Sequence, residues 1–181
     1  MLNHLIMYLD SDSDIEKCVS SAYNQTKPFA SVTLLSDDPD ALRKLVDIGK
    51  NNDYALNIKS VTRNQPQELL FDKNIKKVTK KNGDWVSFAN RPLPERYNQV
   101  LEHNIAEFQK KPQGGVPVVF HYESKVHGMA LLKHMYDFLG GWHKHIPHWV
   151  EGFYGQEFDG FLNKVRAVSK NQNDIVEWSE L

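Results

Sequence analysis

Gly114-Gly115-Val116-Pro117-Val118-Val119-Phe120, followed directly by His121 and Tyr122, is the stretch from which the chain is best read. Two glycines permit a tight backbone turn, and residues 116–122 are β-branched and aromatic enough to form a strand. Pro117 stands at the strand entrance. Proline has no N–H to give a sheet ladder, which places it at a first or edge position, and it is the residue whose cis peptide bond costs little, so the position permits a cis-proline loop. Beyond the strand, Ser124-Lys125 can turn the chain into a short strand at Val126-His127 that Gly128 ends. Residues 129–139 then read as an amphipathic helix stopped by Gly140-Gly141.

With 181 residues, 40% of them hydrophobic, the chain can bury one core, and one domain with a decorated end is expected. The net charge of −1, from 22 basic and 23 acidic residues, gives no global pull toward nucleic acid or an anionic membrane. No apolar run reaches the roughly 18–20 residues of a membrane span, and residues 1–8 are too short for a secretory signal. The chain therefore reads as cytoplasmic, or as periplasmic where a signal has been removed. Cys18 is the single cysteine, which excludes an internal disulfide, a Cys-x-x-Cys pair and a cysteine-built zinc site.

Leu5-Ile6-Met7-Tyr8-Leu9 is a continuous apolar run suited to a central strand covered on both faces. Asp10-Ser11-Asp12-Ser13-Asp14-Ile15-Glu16 follows. Ser13 with Glu16 three residues on makes a capping box, so this acidic stretch reads as a helix start. The alternative is a phosphoryl site, because the Asp10-x-Asp12 spacing after an apolar strand resembles the haloacid dehalogenase-type phosphatases. That resemblance implies Asp10 as nucleophile, Asp12 as acid/base, magnesium between them and the phosphate, and Ser36 as the hydroxyl ending a second strand. The later acidic pair of that family is missing after residues 114–120. An EF-hand is excluded, since Ile15 occupies the glycine position and Ser21 that of the bidentate glutamate.

A first helix is expected over residues 14–23, a second strand over 31–36, a helix from Asp37-Asp38-Pro39-Asp40 to Gly49, and a third strand over 54–61. Lys73, Lys76, Lys77, Lys80 and Lys81 form a basic run that reads as a solvated face; no arginines or stacking aromatics accompany it to suggest nucleic acid. Trp85-Val86-Ser87-Phe88 reads as extended, Arg91-Pro92-Leu93-Pro94 as a hinge, and residues 95–109 as a helix with Tyr97, Val100, Leu101, Ile105 and Phe108 on or near one face.

The order of strand, helix, strand, helical insertion, Gly-Gly-Val-Pro-Val-Val-Phe, hairpin and final helix resembles the thioredoxin superfamily. Within it, the catalytic domains of bacterial periplasmic disulfide isomerases are the nearest in layout. The resemblance spans roughly residues 4–140 and rests on Val116-Pro117. It implies an α/β three-layer sandwich with a helical insertion at about 64–113, followed by an extension over 141–181 packed on the domain or on a partner. It also implies that Pro117 is a cis-proline facing the redox centre, and that Val116 offers its backbone to an extended chain. Where that family carries Cys-x-x-Cys, this chain has Ser13-Asp14-Ile15-Glu16. Cys18 lies further into the helix, where Asp14 and Glu16 would raise its pKa, so a core role is expected, with a one-cysteine oxidoreductase as the alternative.

Six of the eight histidines, His121, His127, His134, His143, His145 and His148, fall within 28 residues, interleaved with Trp142, Trp149, Phe153 and Tyr154. This segment reads as a wrapping aromatic arm; the alternative is a zinc-type metal site at His143-x-His145-x-x-His148. Residues 158–168 carry a helical stripe, and residues 174–178 suit an edge strand or a docking tail. The sequence-level expectation is a redox-inactive thioredoxin-like module, more a binding protein than an enzyme and without a cofactor. It would bind a protein partner or a second copy of itself through Val116, Pro117, Trp142, Trp149 and Tyr154. The enzymatic alternatives are the magnesium-dependent hydrolase of Asp10 and Asp12 and the Cys18 oxidoreductase.

Overall fold

A computed structural model describes residues 2–61, 67–78, 84–109, 118–122, 125–138 and 176–178. It opens with β1 (Asn3–Tyr8), buried along its whole length, as its apolar run requires for a strand covered on both faces. Then come α1 (Ile15–Tyr23), β2 (Ser31–Ser36), α2 (Pro39–Asn52), β3 (Asn57–Ser60), α3 (Gln67–Val78), β4 (Trp85–Ala89) and α4 (Tyr97–Gln109). The chain continues through β5 (Val118–Tyr122), β6 (Lys125–Leu132), α5 (Lys133–Phe138) and β7 (Val176–Trp178). The described strands form one seven-stranded sheet in the order β3-β2-β1-β4-β6-β5-β7. β1 is parallel to β2 and β4, and β2 to β3, whereas β6 runs antiparallel to both β4 and β5. The protein is α/β.

Strand alternation sorts the side chains onto two faces. Leu5 and Met7 of β1, with Leu9 just beyond it, join Ala89 of β4 in a core with Ile15, Cys18 and Val19 of α1, Ala41 and Leu45 of α2, and Tyr97 and Leu101 of α4. On the other face Phe88, in register with Ile6, packs between Phe71 of α3 at a ring-centroid distance of 4.9 Å and Tyr136 of α5 at 5.7 Å. α2 begins as its sequence dictates, with Asp38 capping and Pro39 in the first turn. It runs past Gly49 to Asn52 and stops at Asp53, whose φ of 55° is left-handed. Gly49 serves packing instead: a Cβ there would lie 3.2 Å from Leu56 Cδ1.

Two expectations fail on topology. The thioredoxin-like reading needs the proline strand to meet the start of α1. Instead β4 and β6 lie between β1 and β5, which puts β5 about 14 Å from β1 at about 4.8 Å per strand. Val118 is level, through Ala130 and Ser87, with Leu5 in the middle of β1, whereas α1 begins beyond the C-terminal end of that strand. The Val116–Pro117 bond itself lies outside the described residues. Residues 129–132, read as helix, complete β6, where they pair with residues 85–88 of β4; the helix starts only at Lys133. A four-residue apolar run fits either state, and pairing to a buried strand decides it. Residues 84–109, inside the expected insertion, hold β4, a central strand with β1 on one side and β6 on the other. Lys73, Lys76 and Lys77 are exposed on α3, as a solvated face requires. Among the described residues no helix is long and apolar enough to cross a membrane.

Candidate functional site at the carboxyl ends of β1, β2 and β4

The chain leaves β1 on α1 toward β2 and β3, then returns on α3 to the other side of β1 to form β4. The order 3-2-1-4 therefore reverses between β1 and β4, and open α/β sheets bind ligands in the crevice outside the strand ends at such a switch point. The loops gathered at this edge are polar. After β1, Asp10 closes an Asx turn: its Oδ1 accepts from the Asp12 N–H at 3.0 Å and from the Ser13 hydroxyl at 2.9 Å. Ser13 Oγ in turn accepts from the Asp10 N–H at 3.1 Å. Ser13 is therefore a turn residue, and the N-cap of α1 is Asp14, whose carboxylate accepts from the Lys17 N–H at 3.2 Å. The Lys17 side chain first, and that backbone bond next, hold the exposed Asp14 carboxyl below its ordinary pKa.

After β2, the buried Ser36 accepts from the Asp38 N–H at 3.2 Å, and Asp37 accepts from the Tyr8 hydroxyl at 2.5 Å. Asp38 caps α2 by accepting from the Asp40 N–H at 2.8 Å. Its pKa is lowered by that bond first, and also by hydrogen bonds from the side chain and backbone of Ser11, which join the β1 loop to the β2 loop. After β4 comes Asn90, only 6% exposed, whose Oδ1 has no hydrogen-bond partner among the described residues. Arg91 follows, exposed, and the Leu93 N–H donates to Ser21 Oγ at 2.9 Å. Because Ala89, the last residue of β4, is in register with Met7, Asn90 and Arg91 leave the sheet at the same edge as the carboxyl end of β1. β6 starts on this same edge, with Gly128 opposite Ala89.

The sequence-level candidates fare unevenly. Asp10 and Asp12 do reach the crevice, although Asp10 Oδ1 is committed to its own turn. Among the described residues no three His, Cys, Asp or Glu side chains converge to hold a metal ion. Cys18 is fully buried in the core, and its thiol is pushed up to about 12 by burial first and the Asp14 carboxylate next, with Asp10 adding and Arg91 opposing. A thiol so protonated is no nucleophile. Val116, Pro117, Trp142, His143, His145, His148, Trp149 and Tyr154 lie outside the described residues. Asn90 and Arg91 were missed as site residues. Their one local signal is a polar and a cationic residue directly after the apolar run of β4.

Cys18 carries an alkaline prediction. Its thiol titrates ordinarily at 9.0 and in the fold at about 12, so the stability that burial of the neutral form confers is fully present below pH 9 and is lost as pH rises from 9 toward 12. Tyr97, also raised by burial with its Ser87 hydrogen bond opposing, adds to the same alkaline loss. Urea midpoints are expected to hold steady up to pH 9 and then fall, and to fall less steeply in Cys18→Ala. A midpoint independent of pH across this window would contradict the burial.

No family model and no curated protein matches the sequence. Solved structures match its fold. The chain aligns over 100% of its length with 59% of S. aureus TarS 1–349, at 12% identity and a TM-score of 0.68, and with 36% of a longer S. aureus TarS chain, so it spans only part of that protein. Over 99% of its length it aligns with 89% of the 4-diphosphocytidyl-2C-methyl-D-erythritol synthase from Anaerococcus prevotii, at 12% identity and a TM-score of 0.60. It also aligns with 76% of a cytidylyltransferase from Leptospira borgpetersenii, at 11% identity and a TM-score of 0.56. These neighbours replace the disulfide-isomerase resemblance. They also remove the ground for a non-catalytic, redox-inactive module and for both alternatives, the Asp10/Asp12 phosphoryl hydrolase and the Cys18 oxidoreductase. The sheet is one that a synthase and a cytidylyltransferase carry.

Proposed function

We propose that this chain is a transferase domain that binds a nucleotide, or a group activated by one, in the crevice at the carboxyl ends of β1, β2 and β4. The observation that carries the reading is the reversal of strand order at β1 and β4, which gathers the polar loops of residues 10–13, 36–38 and 90–91 at one edge. The chemistry agrees. Asp12, Asp37 and Asp38 present carboxylate oxygens suited to ribose hydroxyls and base N–H donors. Two matched structures bear names that involve cytidylyl transfer or a diphosphocytidyl product, which supports a nucleotide as the ligand class.

The test is a binding panel of UDP, CDP, ADP and GDP and their sugar conjugates, each with EDTA and with magnesium, followed by amide chemical shifts. At least one nucleotide is expected to bind and to shift residues 10–13, 36–38 and 89–92. No binding, or shifts confined to the opposite edge at Asn3, Ser31 and Asp84, would overturn the reading.

A further inference from the structure

The nucleotide reading leaves open where the anionic part of the ligand lies, and the hydrogen bonds at the sheet edge constrain the answer. Phosphates in α/β sheets commonly sit on helix N-termini, where unpaired N–H groups and the helix dipole favour them, often after a glycine-rich turn. Residues 9–15 contain no glycine. Both helix starts at this edge are already occupied by the chain's own carboxylates, Asp14 on α1 and Asp38 on α2. Asp10 and Asp12 on the β1 loop and Asp37 on the β2 loop add more negative charge, so a phosphate over β1 and β2 would face like charges on each side.

The end of β4 is different. Arg91 follows the carboxyl end of β4, the strand paired with β1, and is exposed and free of any described ion pair with a carboxylate; its charge is felt at Cys18 of α1, and guanidinium pairs with phosphate in a two-pronged geometry. Next to it, Asn90 keeps a buried amide oxygen without a partner among the described residues, although a buried acceptor left unpaired is costly. An acceptor held that way at a strand end is explained by a ligand donor that completes it.

We propose that the ligand lies across the crevice with its hydroxyl-rich, uncharged part over the β1 and β2 carboxylates and its phosphates on Arg91, which supplies the counter-charge in place of a divalent cation. Asn90 Oδ1 takes a hydroxyl or N–H of the ligand beside those phosphates. The inference rests on the nucleotide reading and is separable from it.

The experiment compares UDP, CDP, ADP and GDP with the matching nucleosides by calorimetry, in EDTA and in magnesium, for the wild type, Arg91→Gln and Asn90→Ala. In EDTA the wild type is expected to prefer the diphosphate to its nucleoside at least tenfold. Arg91→Gln should erase most of that preference while leaving the nucleoside unchanged, and Arg91 is exposed, so the variant should fold. Asn90→Ala should weaken the nucleoside and the diphosphate alike by about five- to tenfold, the loss of one buried hydrogen bond. Diphosphate binding that needs magnesium in the wild type, or an Arg91→Gln variant that keeps the preference, overturns the inference and leaves the nucleotide reading standing. Absence of binding by all four overturns both.

Discussion

Phe88→Ala is expected to lower the unfolding free energy by about 3–5 kcal/mol, the cost of emptying a fully buried aromatic site. Phe88 is 0% exposed at the centre of the face that α3 and α5 cover, with its ring edge-on to Phe71 and tilted against Tyr136. The substitution removes two aromatic contacts, each contributing about 0.5–1.5 kcal/mol beyond its area, and leaves a cavity that β4, hydrogen-bonded on both sides, cannot move to fill. For a chain of this size that corresponds to a fall in melting temperature of about 10 °C. Phe88→Leu should cost clearly less. A loss under about 1 kcal/mol in the alanine variant, measured by urea titration, would mean that this face is not a packed core.

The second large effect is on a polar network. Asn98 of α4, only 2% exposed, donates through Nδ2 to the carbonyls of Lys27 and Pro28 at 3.0 and 2.9 Å, and accepts from Asn3 Nδ2 at 2.7 Å. Asn3 in turn accepts from the Ser87 hydroxyl at 3.0 Å, and Gln25 accepts from the Asn98 N–H at 3.0 Å. These bonds tie the chain after α1 to α4, to the amino end of β1 and to the middle of β4, two of the strands whose carboxyl ends form the crevice. Asn98→Leu keeps the branched shape and strands two carbonyls and an amide, so a cost of about 3–4 kcal/mol is expected. Asn98→Asp should be as damaging at neutral pH, where it turns a carboxylate on two carbonyls, and should recover in mild acid as protonation returns one donor. If Asn98→Asp showed no such recovery in urea melts across that range, the carbonyl contacts would not be what Asn98 contributes.

Much of the local structure was legible in the residues. The unbroken apolar run of β1 marks a strand covered on both faces, and Asp38-Pro39 marks the start of α2, because burial pattern and capping are decided within a few residues. Cys18 reads as core and is core, since the carboxylates beside it and the helix stripe that buries it are all near in sequence. Even here a step of one residue matters: Ser13 and Asp14 are both good caps, and the Asx turn on Asp10 claims Ser13 and leaves the cap to Asp14.

What the residues did not settle was strand order. A β-α-β opening followed by a hairpin and a helix suits a thioredoxin-like sheet and this one equally. The difference lies in β4, whose residues 85–88 read only as extended yet pair on one side with β1 and on the other with β6. The β1 pairing joins residues about eighty apart in the chain and the β6 pairing residues about forty apart, chosen because they let α1, α2 and α4 cover one face while α3 and α5 cover the other. No local pattern records it. The crevice depends on it as well: Asn90 and Arg91 are a strand end and a hinge in the sequence, and they become a candidate binding edge only because β4 comes to rest against β1, bringing an unpaired amide and a cation beside five aspartates. Composition and short-range pattern determined which segments are strands and helices; the long-range choice of neighbours, made by burial of both sheet faces, determined where a ligand could sit.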